Sequence, residues 1–442
     1  MEIFNKTNEG NEITGSPELA SAAVPAKPAL LKVVPRVVNE DRARFDKLKE
    51  WLRLNEVRLA EATLADDDRL SHHALAVYPA SKGGCLAYGA GCFAATDPDA
   101  PVYVLGDTHG DFDSFLAILF TILGMAKENG EAAPIVYLLG DIVDRNGEGC
   151  MLECALILAI LQKAIPDVID PSVDFKYGEL NTIRLGIVKG DHDVGLLYAE
   201  PYAPETRFKA MVSPADYCDW LNKRLDDGGD ESVTKIGRAW IRLMQECPAA
   251  VFLKATGTLL AHGGVPREDL QKRVAAGEPY LLQSAAFAQD FEWCRMVDKK
   301  KKLLNRGSKT SEIGGLEFDS FCKTVFPGRK LGDAARTKVR HFVFGHQHPL
   351  KGFEQYAEWY EGYTAICIAS FRNDGFEGPK LPHFVRLEPA YDTKKEDPFG
   401  TMDGSPTRIV AHTDESVRVY SLNLAFESGK PSVEQPESEV LQ

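Results

Sequence analysis

Residues 102–191 contain VYVLGD (102–107), SFLAILFTILGM (114–125), IVYLLGD (135–141), CMLECALILAIL (150–161) and TIRLGIVKGD (182–191). Short, nearly continuous runs of Val, Ile and Leu read as strands buried on both faces, and the longer apolar runs between them read as helices. That alternation is the rhythm of an α/β sheet. Each strand ends in Gly-Asp, at Asp107, Asp141 and Asp191, and open α/β sheets place their ligand sites at strand C-terminal ends. The three carboxylates are therefore expected along one edge.

Further along, TGTLLAHGG (256–264) and RHFVFGHQH (340–348) end in histidine, and TAICIASF (364–371) supplies another strand. A lone Asp after a strand is usually a helix cap, and a lone His is usually a satisfied polar residue. Taken together, Asp107, His109, Asp141, Asp191, His262 and His346 reverse that reading. Carboxylate and imidazole ligands without thiolate suit hard to borderline divalent ions such as Mn, Fe and Zn, and the set exceeds what one ion requires. Two ions sharing a carboxylate, roughly 3.5–4 Å apart, activate a water and hold the attacking and leaving oxygens of an in-line displacement at phosphorus. Phosphoester hydrolysis is the chemistry such a set serves.

GDTHG, GDIVDR, GDHD, HGG and FGHQH resemble, in order, the five signature blocks of the calcineurin-like metallophosphoesterases. Asp144-Arg145 and Gly263-Gly264 are similar to the phosphoprotein phosphatase branch, which hydrolyses phosphoserine and phosphothreonine. Smaller likenesses lie at ECPAAVFLKATGTLLAHGGVP, DFEWCRMVD and NRGSKTSEIG. The resemblance implies an α/β fold, a central β-sandwich of two mixed sheets flanked by helices, with the metal site at strand C-terminal ends. It implies that Asp107 and His109 bind a first metal, that Asp141 bridges, and that Asp191, His262 and His346 bind a second. His348 matches a first-metal ligand of the broader superfamily. His192 matches the general acid and Asp144 its carboxylate partner, while Arg145 and Arg306 match phosphate-clamping arginines. A planar guanidinium suits that task because its fork donates two parallel hydrogen bonds and stays charged.

The chain departs from the phosphatase pattern at Asp191, where the family has Asn, at Asp111 and Ser114, where it has Gln and Asp, and at Asn146, where Gly is usual. The additional carboxylate of Asp191 is expected to tighten metal binding and make the bound water less acidic. Two rival readings accompany the phosphatase one. One is a nucleotide or dinucleoside-polyphosphate hydrolase or broad phosphoesterase, and the other is a non-catalytic phosphatase-like binding module.

Around this centre, residues 1–40 read as a flexible tail and 41–100 as a helical extension packed on the core. Residues 101–392 read as the catalytic domain, and 393–442 as a C-terminal strand and acidic tail. Within 41–64, Phe45, Leu48, Trp51, Leu52, Leu54, Val57 and Leu59 recur at helical spacing, which predicts an amphipathic helix. The loops at 165–182 and 198–235 are long enough to shape substrate access. The net charge of −14 argues against a nucleic-acid footprint, and the basic run at 299–302 is too short to change that. The apolar run at 150–161 is broken by Glu153 and falls short of the roughly 20 residues needed to span a bilayer. The first thirty residues show no signal-like apolar segment, and nine cysteines without regular spacing fit reduced thiols, so a cytoplasmic, intracellular protein is expected. Expected partners are a phosphorylated protein or small phosphoester and two divalent ions, Mn before Fe or Zn. Oligomeric state is not readable.

Overall fold

The computed structural model describes residues 30–36, 42–65, 93–96, 100–173, 175–199, 207–228, 234–253, 255–267, 285–297, 312–325, 339–350, 352–356, 363–372, 382–388, 392–396, 408–409 and 417–424. The strands of its two main sheets are, in chain order, β1 (Leu30–Arg36), β2 (Phe93–Thr96), β3 (Val102–Leu105), β4 (Ile135–Leu138), β5 (Arg184–Ile187) and β6 (Ala250–Leu253). They continue with β7 (Thr258–Ala261), β8 (His341–Phe344), β9 (Phe353–Tyr356), β10 (Thr364–Ile368), β11 (His383–Leu387) and β12 (Val417–Leu424). The helices are α1 (Arg42–Ala65), α2 (Phe112–Glu128), α3 (Gly147–Gln162), α4 (Asp191–Gly195), α5 (Asp216–Asp226), α6 (Lys235–Glu246), α7 (Ala285–Trp293) and α8 (Gly315–Val325).

Among the described residues both sheets have six strands, ordered β1-β12-β11-β3-β4-β5 and β9-β10-β8-β7-β6-β2. In the first, β3, β4 and β5 run parallel while β11 lies antiparallel between β3 and β12. In the second, β7, β8 and β10 run parallel and β6 pairs antiparallel with β7. Both sheets are therefore mixed. Strand periodicity explains how they stack: alternate side chains point to opposite faces. From β3, Val102 and Val104 enter a core shared with Leu260, Val343 and Ile366 of the other sheet. Tyr103 and Leu105 face away, into a second core with α1, α2, α3, α5 and α6. A third core joins β7, β8 and β10 to α7 and α8. Two sheets flanked by helices follow from apolar residues on both faces of the strands.

The helix α1 forms over the expected span, but its buried stripe differs in detail. Leu48, Leu52 and Leu59 are fully buried, each stabilising by about 1.5–3 kcal/mol through removal from water. Leu54 instead points outward at 79% exposure. Buried Glu56 takes its place in the stripe, accepting from Arg224 Nη1 at 3.1 Å and Nη2 at 2.5 Å and so tying α1 to α5. Two strands lie within the segments expected to be a tail (1–40) and a helical extension (41–100). Leu30–Arg36 is an edge strand paired with β12, and Phe93–Thr96 an edge strand paired with β6. An edge strand needs only one partner and little burial, so neither leaves a strong local pattern. The C-terminal strand expected within 393–442 is found at Val417–Leu424, between β1 and β11. Among the described residues no helix is long and apolar enough to cross a membrane. The outer tails at 1–29 and 425–442, the basic run at 299–302 and Arg306 lie outside the described residues.

The two sheets meet at the edge that matters. A Cβ at Gly106 would lie 2.0 Å from the carbonyl oxygen of Ile368, so only glycine lets the end of β3 pass the end of β10. Asp107 then forms a parallel bridge with Ala369.

Candidate metal centre

Five loops leave the strand ends and converge. Asp107 follows β3, and both its carboxylate oxygens accept from the His346 backbone N–H at 3.0 Å. His109, two residues on, donates from Nδ1 to the carbonyl of Val143 at 3.0 Å, which fixes the tautomer and leaves the Nε2 lone pair facing inward. That nitrogen lies 3.2 Å from Nε2 of His348, whose same atom is 2.8 Å from Asp107 Oδ2. Asp107, His109 and His348 thus present one oxygen and two nitrogens to a common point, with donor atoms all within 4.8 Å of one another.

A second group forms beside it from Asp141, Asp191, His262 and His346, again within 4.8 Å. His262 donates from Nδ1 to the carbonyl of Leu139 at 2.9 Å. Its Nε2 faces Asp191 Oδ1 at 3.1 Å and Asp141 Oδ2 at 3.2 Å. Nδ1 of His346 lies 3.3 Å from the same Asp191 oxygen. Asp141 sits between the groups, because its Oδ2 is also 3.7 Å from Nε2 of His109.

The electrostatics say what such an arrangement lacks. Asp107, Asp141 and Asp191 are all buried, and carboxylates packed this closely need positive charge among them. Burial, reinforced by Asp191, pushes Asp141 up to about 7. Burial lowers His262, yet Asp141 and Asp191 more than offset that and raise it well above the imidazole range. Two carboxylate oxygens and a ring nitrogen converge there, a donor set that suits a divalent ion. Burial drives His109 well below its usual value, with His348 adding to the effect, which leaves a neutral ring with a lone pair. Both donor sets fit divalent ions.

His192 stands beside the centre. Its Nδ1 lies 2.7 Å from Asp144 Oδ2, and its backbone N–H donates to Asp141 Oδ1 at 3.0 Å. Burial lowers its pKa, but Asp141, Asp144 and Asp191 together raise it to about 9. Asp144 is oriented in turn by the N–H of Tyr217 at the start of α5, 3.1 Å from Oδ1. Arg145 reaches Nδ1 of His348 through Nη2 at 3.3 Å.

Backbone geometry marks the same residues. The described non-glycine residues with positive φ are His109, Asp141, Asp144, Arg145, His346 and His348, with Lys163 at the end of α3 as the only other. Left-handed backbone is costly for side-chain-bearing residues and concentrates at functional sites. Asp193 holds one of these turns, its carboxylate accepting from the N–H groups of Asp141 at 2.7 Å, Ile142 at 3.2 Å and Gly190 at 3.2 Å.

Residues 100–350 match the family model of calcineurin-like phosphoesterases. The chain belongs to the calcineurin-like phosphoesterases. No curated protein sequence matches it. Among solved structures, the phosphoesterase is similar to a Saccharomyces cerevisiae protein serine/threonine phosphatase with similarity to human phosphatase PP5. That likeness has 15% identity and a TM-score of 0.46, over 86% of this chain and 91% of that one. A cold-active protein-tyrosine phosphatase of a psychrophile Shewanella species matches at 15% identity and TM-score 0.36, over 71% and 82%. A putative diadenosine tetraphosphatase matches at 11% identity and TM-score 0.28, over 73% and 99%.

Of the site residues expected in this phosphoesterase, all but Arg306 are brought together, and Arg306 lies outside the described residues. The departures at Asp111, Ser114 and Asn146 have local accounts. Asp111 caps α2 by accepting from the Ser114 N–H, and is gripped by Arg372 through Nε and Nη2. Asn146 caps α3 by accepting from the Gly149 N–H and donates to the carbonyl of Gly110, joining two of the loops. Sequence reasoning missed three neighbours. Asp193, two residues after Asp191, left no sign of its role in the sequence. Phe371 packs edge-on against His109 and His348 and gave no signal beyond closing a strand. Glu153 did leave one, as the charge in an apolar helix: it is fully buried and accepts from Thr108 Oγ1 at 2.6 Å and the Gly110 N–H at 3.3 Å.

Proposed function

We propose that this phosphoesterase hydrolyses phosphate monoesters, and that its substrates are phosphoserine and phosphothreonine in proteins. Asp107, His109 and His348 would hold one divalent ion and Asp191, His262 and His346 a second, with Asp141 shared, Mn being preferred over Fe or Zn. The observation that carries the reading is the position of Asp141 Oδ2, 3.2 Å from a nitrogen of one group and 3.7 Å from a nitrogen of the other. When bound, such an ion pair activates a water and steadies the oxygens of an in-line displacement.

The chain's own residues supply the rest. Asp144 and the neighbouring carboxylates keep a proton on His192, and that imidazole is placed to give it to the departing alkoxide. The Asp144 hydrogen bond holds the ring while it does so. Arg145 offers a guanidinium beside the first group for a phosphate oxygen. Asp144-Arg145 and His262-Gly263-Gly264 favour the protein phosphatase reading over a nucleotide hydrolase. Elemental analysis should find two ions per chain, and added manganese should support turnover of a phosphothreonine peptide faster than of a dinucleoside polyphosphate. The reverse preference would overturn the substrate, and a single ion the two-metal reading.

A further inference from the structure

The proposed reaction leaves one guanidinium beside the centre unused. Arg145 lies against the outer nitrogen of His348, and Arg295 donates from Nε to the outer nitrogen of His346, Nε2, at 3.3 Å. Each histidine of the 345–348 block therefore carries an arginine on the side away from its carboxylate neighbours, one arginine at each metal group.

Arg295 is held there by its backbone. It begins the short strand Arg295–Met296, which pairs with Glu312–Ile313. The Met296 N–H donates to Gln347 Oε1 at 2.8 Å, and Gln347 Nε2 donates back to the Met296 carbonyl at 2.5 Å. Gln347 sits between the two histidines, so this reciprocal pair locks the strand to the metal-binding loop. The Arg295 residue itself is exposed, and among the described residues no carboxylate forms an ion pair with it. When Nδ1 of His346 serves as a metal ligand, the ring proton resides on Nε2, which then stops accepting from Arg295. The exposed fork of donors beside His346 is then left without that acceptor, and it suits a carboxylate or phosphate equally.

We propose that Arg295 binds a second anionic group of the substrate, next to the scissile phosphate on the side of His346. The preferred substrate is then a phosphorylated residue flanked by another negative charge, either a carboxylate or a second phosphate. The substrate class rests on the phosphatase reading above. The competing role is local charge balance for Asp191, which shares His346 with Arg295.

The test compares wild type with Arg295→Met and Arg295→Lys on three phosphoserine peptides, flanked by alanine, by glutamate or by a second phosphoserine. A lost charge-assisted contact should raise KM for the last two roughly tenfold in Arg295→Met, leave kcat and the alanine peptide within about twofold, and be partly restored in Arg295→Lys. A larger effect on the glutamate peptide assigns the site to carboxylates, and on the doubly phosphorylated one to phosphates. Independently of turnover, calorimetry with pyrophosphate and orthophosphate should show a preference for pyrophosphate in wild type that disappears in Arg295→Met. Equal losses on all three peptides, or reduced metal content with the pyrophosphate preference intact, would overturn the proposal in favour of charge balance. Should no peptide be turned over by wild type, the phosphatase reading fails, and the pyrophosphate comparison alone decides the role of Arg295.

Discussion

The two metal-binding groups of this phosphoesterase stand side by side yet are built differently. The first has one carboxylate, Asp107, two imidazoles and the Arg145 guanidinium behind His348. The second has two carboxylates, Asp141 and Asp191, with two imidazoles. Access differs as well: the His348 side chain is 23% exposed, against 5% for His346 and 7% for Asp191. With Asp141 shared, each half keeps one carboxylate of its own, so it is the drier setting of the second that should hold a dication longer. The first group is therefore the labile half of the centre and the second its anchor.

The comparison is broken most completely at the residue both halves share. Asp141→Ala should empty both groups, so that elemental analysis finds under one ion per chain. Turnover should fall by more than the roughly 10- to 100-fold that disturbing a residue behind a ligand costs. Next in size is His192→Ala, which should retain both ions and lower turnover of an alkyl phosphate by roughly 10² to 10⁴. Nitrophenyl phosphate, whose leaving group needs no proton, should lose much less, and equal losses would remove His192 from the acid role.

The asymmetry itself is sharpened by His348→Ala. During chelator titration this variant should release its first ion at lower chelator concentration than wild type and its second at the same one. Simultaneous loss of both would mean the groups do not act separately. Asp191→Asn should narrow the difference between the halves by weakening the anchor, and should move the acid limb of the pH–rate profile downward, since less ligand charge leaves the metals stronger Lewis acids. Unchanged retention with an unshifted limb would count against Asp191 as a charged ligand.

The smallest effect concerns the protein stripped of metal. His192 is raised from 6.5 to about 9 there, burial lowering it but Asp141, Asp144 and Asp191 prevailing. A group that holds its proton more tightly when folded contributes stability that is complete below pH 6.5 and lost as pH climbs through about 9. Melting temperatures of chelated protein should accordingly decline between pH 7 and 9, and loading metal should flatten that slope. A flat profile without metal would contradict the carboxylate cage drawn around His192.

Much of this was legible in the chain. The Gly-Asp and Gly-His endings at Asp107, Asp141, Asp191 and His346 name the strand ends directly, because a strand that must stop at a ligand needs a turn residue before it. The sheet to which each strand belongs was not legible, because Val104 and Leu105 are both apolar and only the second sheet decides which faces it. Nor was Asp193 distinguishable from Asp191. Asp191 points toward the second metal group, whereas Asp193 folds back onto the N–H groups of Asp141, Ile142, Val143 and Gly190. Arg295 was invisible for a related reason: its meaning comes from Gln347, which is far away in sequence and adjacent only in space.

The pairing of β1 with β12 sets a timetable for biosynthesis. Leu30 lies opposite Arg418 in that register, so a strand made near the beginning waits for one made near the end. At 5 to 20 residues per second the interval is on the order of 20 to 80 seconds. Through that time Leu30–Arg36 emerges as an unpaired edge, the kind of segment that invites the wrong partner. The outer edge of the first sheet is therefore the last part of it to close, and holdase chaperones should contact this segment before any other strand of the sheet.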